Sequence, residues 1–222
     1  MKTYCTLLIF FCSFKLTKAQ HYIFASSSIS TNRGWALNSF FNFDKTYNKF
    51  KTGGGINLAY AYKKDSSNTH FQLNLNYNYC PIYLFYNNRI DYATESIIGN
   101  FNFHFVGLQA NNYWKLINTP KNNLYFGVGV TANIKVSEKS TATGYVYVRH
   151  SNLPRNSWTT TNQHSTKIVP CFLGYNIALK YEHVLSHNYN LVLCNQYQWL
   201  YNLRGVNIFS SSINLGLSYK IK

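Results

Sequence analysis

The stretch His70–Tyr79 reads HFQLNLNYNY. Phe71, Leu73, Leu75, Tyr77 and Tyr79 alternate with Gln72, Asn74, Asn76 and Asn78, a period of two that predicts a β-strand with one apolar and one polar face. In a soluble sandwich the apolar face packs into the core and the polar face meets water. In a transmembrane barrel the apolar face meets lipid and the polar face lines a lumen. The rest of the chain decides between the two.

The same alternation recurs along the sequence. It places Ile56, Leu58, Tyr60 and Tyr62 on one face, then Leu124, Phe126, Val128, Val130, Ala132, Ile134 and Val136. Leu173, Tyr175, Ile177, Leu179 and Tyr181 form another such row, as do Ile213, Leu215, Leu217, Tyr219 and Ile221. In YNLVLCNQYQWLY the apolar row from Tyr189 to Tyr201 is interrupted only by Asn195. Across 97–117 the parity changes: Phe101, Phe103 and Phe105 share one face, while Val106, Leu108, Ala110, Trp114 and Leu116 share the other. A β-bulge near Phe105–Val106 is expected to restore a single apolar face there. With a strand at about 21–30 the count is eight, so both chain ends fall on the same side.

Connections alternate in length. Short turns are expected at 64–69, 118–122 and 186–188, and a fourth short one near Arg204-Gly205; longer ones are expected at 31–50, 81–96 and 138–167. Asn, Asp, Ser, Pro or Gly mark each of them. A ten-residue strand rises about 33 Å, which a barrel tilt reduces to about 25 Å, the height of the apolar band of an outer-membrane barrel. Aromatic residues collect towards the strand ends, among them Tyr60, Tyr62, Tyr77, Tyr79, Trp114, Tyr125, Phe126, Tyr181, Trp199, Tyr201 and Tyr219. Rings at that depth are the girdles of a membrane barrel.

The opposite face carries Asn, Gln, Ser and Gly and few charges, unlike the Lys- and Glu-rich water face of a soluble sandwich. It suits a narrow lumen filled by side chains, with Gln72, Asn74, Asn76, Asn133, Lys135, Glu182, Gln196, Gln198 and Asn214 as filling. Gly127, Gly129, Gly174 and Gly216 leave room for bulkier inner residues such as Tyr125. The expected fold is therefore all-β: an eight-stranded antiparallel transmembrane up-and-down β-barrel.

Residues 1–19 are read as a secretory signal peptide and 20–222 as the barrel domain. Lys2 opens the segment, an apolar run of about 11 residues follows from Tyr4 to Phe14, and Thr17-Lys18-Ala19 supplies small residues at a cleavage site. A lipoprotein reading through Cys12 meets bulky Phe11 just before it. Elsewhere no apolar run reaches the ~18 residues of a membrane helix.

The 222-residue chain has a formal charge of +15 and is 18% aromatic but only 12% charged. Without Lys2, Lys15 and Lys18, eighteen of the 21 basic residues remain against 6 acidic ones, leaving +12. An exported chain without a basic cluster or nucleic-acid module is not expected to bind nucleic acid. Anionic headgroups, outer-membrane lipid and lipopolysaccharide fit the charge better.

No phosphate loop, zinc-type cysteine pairing or HExxH helix occurs, so no cofactor, metal or catalytic set is expected. Asp91, Glu95, His150 and His164 lie in expected loops with no motif joining them. His104, Lys180, Glu182 and Lys220 are expected to form a polar plug in the lumen, since an inner charge must be paired. Of Cys80, Cys171 and Cys194, only Cys80 and Cys171 lie near the same strand ends and so could pair.

The long connection at 138–167 carries GYVYV, which can extend as a hairpin, and then Arg149, His150, Arg155 and Trp158, a basic and aromatic group suited to phosphates or an external anionic partner. A solvated shielding loop is the other reading of these residues.

VGLQANNYWKL (106–116), LYFGVGVTANIKV (124–136), GYNIALKYEHVL (174–185) and the terminal INLGLSYKIK resemble the Bacteroidota-type outer-membrane β-barrel family that includes PorT-like proteins. The resemblance implies a porin-like eight-stranded barrel with both ends in the periplasm, assembled by the barrel-insertion machinery, and no shared catalytic residues. Its members include adhesion-type, structural and secretion-linked barrels, so an external or secretion-system protein is a further expected partner. Lys222 departs from the terminal aromatic of many such barrels, so recognition for insertion would lean on Tyr219 and Ile221.

Overall fold

The computed structural model describes residues 19–36, 50–64, 67–90, 93–148, 154–161, 170–202 and 206–221. They form nine strands: β1 (Ala19–Ala36), β2 (Lys51–Lys64), β3 (Thr69–Ile90), β4 (Ala93–Asn118), β5 (Asn122–Val148), β6 (Pro154–Thr161), β7 (Cys171–Val184), β8 (Tyr189–Tyr201) and β9 (Val206–Ile221). Consecutive antiparallel pairing runs from β1 to β5, then through β7, β8 and β9, and the ring closes where His21 of β1 meets Ile221 of β9. Eight strands therefore make a closed barrel, the architecture expected from the alternation. Closure leaves no strand edge open in the wall.

One of the nine strands, β6, stands outside the ring. β6 pairs only with the far half of β5, from Thr141↔Thr161 to Tyr147↔Pro154. The connection expected at 81–96 is also strand: β3 and β4 stay paired to Ile90↔Ala93, and β4 pairs with β5 as far as Ala93↔Val148. Four strands thus rise beyond the rim on one side. Pro81 suggested a turn, but it lies just past the last β2–β3 pair, Gly54↔Tyr79, where β3 has become an edge and tolerates a missing N–H.

The described ends of the chain lie with the turns joining β2 to β3, β4 to β5 and β7 to β8, here called the short-turn end. The opposite end carries the longer connections and the four-stranded extension.

Burial confirms which side is which. Val130 and Ile56 are each 64% exposed and point outwards, whereas Gln72, Asn74, Asn111 and Asn133 are buried inside. The pattern is that of a soluble protein turned inside out. The bulge expected near Phe105–Val106 is not on β4, whose one extra residue is Leu116, near the short-turn end. Alternation in β4 is unbroken through Phe101, Phe103, Phe105, Gly107 and Gln109, all buried inwards. The irregularity sits on the partner strand: His104 pairs with Ser137 but Phe105 with Lys135, so Val136 of β5 is the extra residue. The bulge turns Lys135 and Glu138 to the same inner side, where they form an ion pair.

Interior packing depends on glycine at one point in particular. A Cβ on Gly127 would come within 2.5 Å of Cδ1 of Tyr113, so only glycine lets that ring lie flat inside the wall. Tyr125 points inwards and is buried, as expected beside the inner glycines, and so is not part of the girdle in which its place near the strand end also counted it.

Candidate functional site

The lumen is filled in three layers. Nearest the short-turn end is a charged cluster built on β2, β3, β4, β5 and β7. Lys180 donates to Nε2 of His70 at 2.8 Å and to Oε1 of Gln72 at 3.0 Å, and pairs with Oε1 of Glu182 at 3.0 Å. An ammonium only donates, so Nε2 of His70 accepts and the ring proton sits on Nδ1. The rings of Tyr113 and Tyr125 lie 4.4 and 5.3 Å from the same ammonium, and His70 stacks on Tyr113 at 4.9 Å. Lys63 donates to the hydroxyl of Tyr125 at 3.1 Å. One carboxylate and two aromatic faces thus hold two cations in place of water.

The middle layer is polar. Asn74 donates to Gln109, Gln72 to Asn74, Gln109 to Asn111 and Asn111 to the Tyr113 hydroxyl, a ladder running between β3 and β4. Beside it lies a small chamber of about 40 Å³, lined by residues such as Asn57, Asn76, Asn133, Gln198, Ser212 and Asn214. That is room for a few waters in a polar setting.

Towards the long-loop end the interior becomes apolar. Cys80, Ile82, Phe101, Phe103, Phe105, Phe172, Leu200 and Ile208 form one buried cluster across the lumen. Phe105 meets Phe172 edge-on at 5.1 Å, and Lys135 lies 5.4 Å over the Phe103 ring. A polar lining was expected here. The three phenylalanines had been assigned to lipid because a bulge was placed on the wrong strand.

The expected lumen residues do not all converge. Lys180 and Glu182 do. His104 does not: with β4 unbroken it points outwards, its Nδ1 2.7 Å from the Tyr77 hydroxyl and its ring 5.1 Å from that of Tyr79. Lys220 has inward parity at the end of β9, where its N–H donates to the Asn188 carbonyl, and the Lys180–Glu182 pair forms without it. His70, Tyr113 and Lys63 were missed. His70 follows the inner parity of Gln72 and Asn74, a signal obscured by its place at the first residues of the strand.

Of the expected surface group, Arg149 and His150 lie outside the described residues, as do Asp91 and His164. Arg155 and Trp158 fall on β6, with Trp158 opposite Gly144 and Arg155 at the irregularity between Pro154 and Asn156. The hairpin expected from GYVYV is present in β5 and β6. Among the described residues no three His, Cys, Asp or Glu side chains gather to hold a metal.

The three cysteines among the described residues, Cys80, Cys171 and Cys194, are free. Cys80 points into the apolar plug and Cys171 outwards, on strands separated by β4 and β5, so the two cannot bridge although both lie towards the long-loop end. A maleimide reagent applied to the folded protein is accordingly expected to modify Cys171 rapidly, and Cys80 and Cys194 only after unfolding. Mass analysis of the labelled peptides checks this.

Outward aromatic residues form two belts. Near the short-turn end Trp114 stacks on Phe126 at 6.4 Å, Tyr189 meets Tyr219 at 5.1 Å, and His21 meets Tyr62 at 5.6 Å. Near the other end Tyr175 stacks on Trp199 at 5.1 Å, and Trp199 meets Phe209 at 5.3 Å. Between the belts the outer face is aliphatic.

No protein-family model matches the chain, and no curated protein matches it. Among solved structures, Neisserial surface protein A aligns over 92% of this chain and 100% of its own, at 12% identity and a TM-score of 0.51. The fold is that of the small outer-membrane barrels. Ail, the attachment invasion locus protein of Yersinia pestis, aligns over 92% of this chain and 100% of its own at 11% identity and a TM-score of 0.45. OprG from Pseudomonas aeruginosa aligns over 92% and 97% at 10% identity and a TM-score of 0.44. Identities this low speak to the fold and not to an activity.

Proposed function

We propose that this chain is a non-enzymatic integral outer-membrane β-barrel, exported through its N-terminal signal peptide, that acts by surface binding through its long-loop end. The observation that carries the reading is the inverted burial: an aliphatic outer band between two aromatic belts, around a lumen closed by side chains at every level. The outer band matches a bilayer core. The filled lumen offers no route for solutes, so soluble partners would meet the protein at its rim.

The short turns and both described ends would face the periplasm, and the four-stranded extension the exterior. Lipopolysaccharide and neighbouring lipids would surround the wall, with the barrel-insertion machinery as partner during assembly. The narrower likeness to PorT-like barrels, and with it a role in secretion or envelope assembly, rests on the strand-turn-strand stretches quoted above.

At the rim, Arg149, His150, Arg155 and Trp158 are the group suited to phosphates or an anionic external partner. Replacing Arg149, Arg155 and Trp158 together by alanine is expected to leave the amount of folded barrel unchanged and to lower binding of whole cells to an anionic surface several-fold. Binding unchanged at equal abundance would remove the loop from the account.

A further inference from the structure

The outer wall is not uniformly convex. A groove of about 730 Å³ crosses it where β9, β1, β2 and β3 meet, lined by Ala25, Ser27, Ile56, Leu58, Leu75 and Leu217, with Tyr77 also on its wall. Its cause is local. The neighbours of β1 present Leu or Ile outwards, whereas β1 presents Ala25 and Ser27 two residues apart on the outer face, flanked by Leu58 and Ile56 on β2 and by Leu217 and Leu215 on β9. Short side chains between taller ones leave a trough in the apolar band.

The long-loop side of this groove is polar. The Tyr77 hydroxyl is bonded to Nδ1 of His104, and Tyr79 packs on His104 and donates to Oδ1 of Asn102 at 3.3 Å. Asn102 pairs with Lys139, which the bulge at Val136 returns to the outer face, where it is exposed. Tyr79 stands ten residues above the start of β3, about 25 Å along the barrel axis. The imidazole, two phenols, amide and ammonium therefore sit at headgroup depth and the trough at acyl depth.

We propose that this groove and the His104–Tyr77–Lys139 cluster form a binding site for one phosphorylated, multiply acylated lipid of lipopolysaccharide type in the outer leaflet. One acyl chain fills the trough over Ala25 and Ser27, and Lys139 takes the phosphate beside the His104 ring. The site rests on the orientation proposed above, with the long-loop end outside. Its outward His104 acquires a role that a lumen plug could not give it.

The test titrates the full-length protein in detergent with bis-phosphorylated lipid A, phosphatidylglycerol and inorganic phosphate, read by native mass spectrometry. The wild type is expected to retain one lipid A in preference to phosphatidylglycerol and to retain no phosphate. The double variant Ala25→Leu/Ser27→Leu, which fills the trough, is expected to weaken retention at least ten-fold, and Lys139→Ala several-fold, with gel heat-modifiability unchanged in both. Equal retention by wild type and both variants, equal binding of phosphatidylglycerol, or binding of phosphate alone would each overturn the site. Orientation is read separately, by labelling Cys171 in intact cells with an impermeant maleimide. A protected Cys171 would fault the orientation while leaving the lipid titration to stand or fall by itself.

Discussion

Replacing Lys180 by alanine is expected to cost the barrel about 3–5 kcal/mol, the loss typical when one partner of a buried ion pair is removed. The side chain is buried, and its ammonium joins His70, Gln72 and Glu182 while two tyrosine rings face it. Alanine leaves the Glu182 carboxylate, the Gln72 carbonyl and the His70 Nε2 together without their common donor. Glu182→Gln alone should cost less, because Lys180 keeps its other two acceptors. Lys180→Met combined with Glu182→Gln should recover much of the loss, since no uncompensated charge stays in the wall. Reversible urea unfolding in lipid vesicles measures all three. A Lys180→Ala variant within about 0.5 kcal/mol of wild type, the range of ordinary surface changes, would show that the cluster is hydrated.

The second large effect is expected at the apolar plug. Phe103 and Phe105 are almost wholly buried, their rings 5.8 Å apart, and Phe105 abuts Phe172. Truncating either to alanine is expected to cost about 3–5 kcal/mol, with less than the sum for both because they share one cavity. The double variant has a second consequence. Cys80 belongs to the same cluster, so opening it should give an aqueous thiol reagent access to a side chain that is protected in the wild type. Peptide mapping after brief maleimide treatment distinguishes this from global unfolding, because Cys194, in the cluster with Tyr113 and Tyr125, should stay protected. Small stability losses with Cys80 still unreactive would place these rings in lipid, where the sequence alone had put them.

That misplacement shows what the sequence carries and what it does not. Strand existence, parity and ring closure were legible because outer rows such as Val128, Val130 and Ile134 meet one uniform solvent and so repeat with few breaks, Asn195 among them. The lumen is not uniform. Its middle needs Asn and Gln, its short-turn end Lys180 and Glu182, and its long-loop end is closed by Phe101, Phe103, Phe105 and Phe172. Apolar residues then occur on both faces of β4, and parity loses its meaning there. A bulge was the economical explanation; it exists, but at Val136 of β5, and only pairing between two strands reveals which one carries the extra residue. His104 went to the wrong side for the same reason. The extension formed by β3 to β6 was partly legible in the alternation of GYVYV, and hidden at 81–96 by Pro81, whose tolerance depends on β3 having lost its neighbour by that point.

The expected partners divide along the same line. Lipid contact follows from the outer face as a whole. Contacts at the rim depend on residues such as Arg149 and Arg155, whose spacing follows no period.

Envelope fractionation followed by electrophoresis of unheated and heated samples checks whether the aliphatic outer band faces a bilayer. Recovery in the outer-membrane fraction, extraction only by detergent, and a folded band that shifts in mobility on boiling are expected. Recovery as a soluble protein without detergent, with no shift on boiling, would contradict that placement.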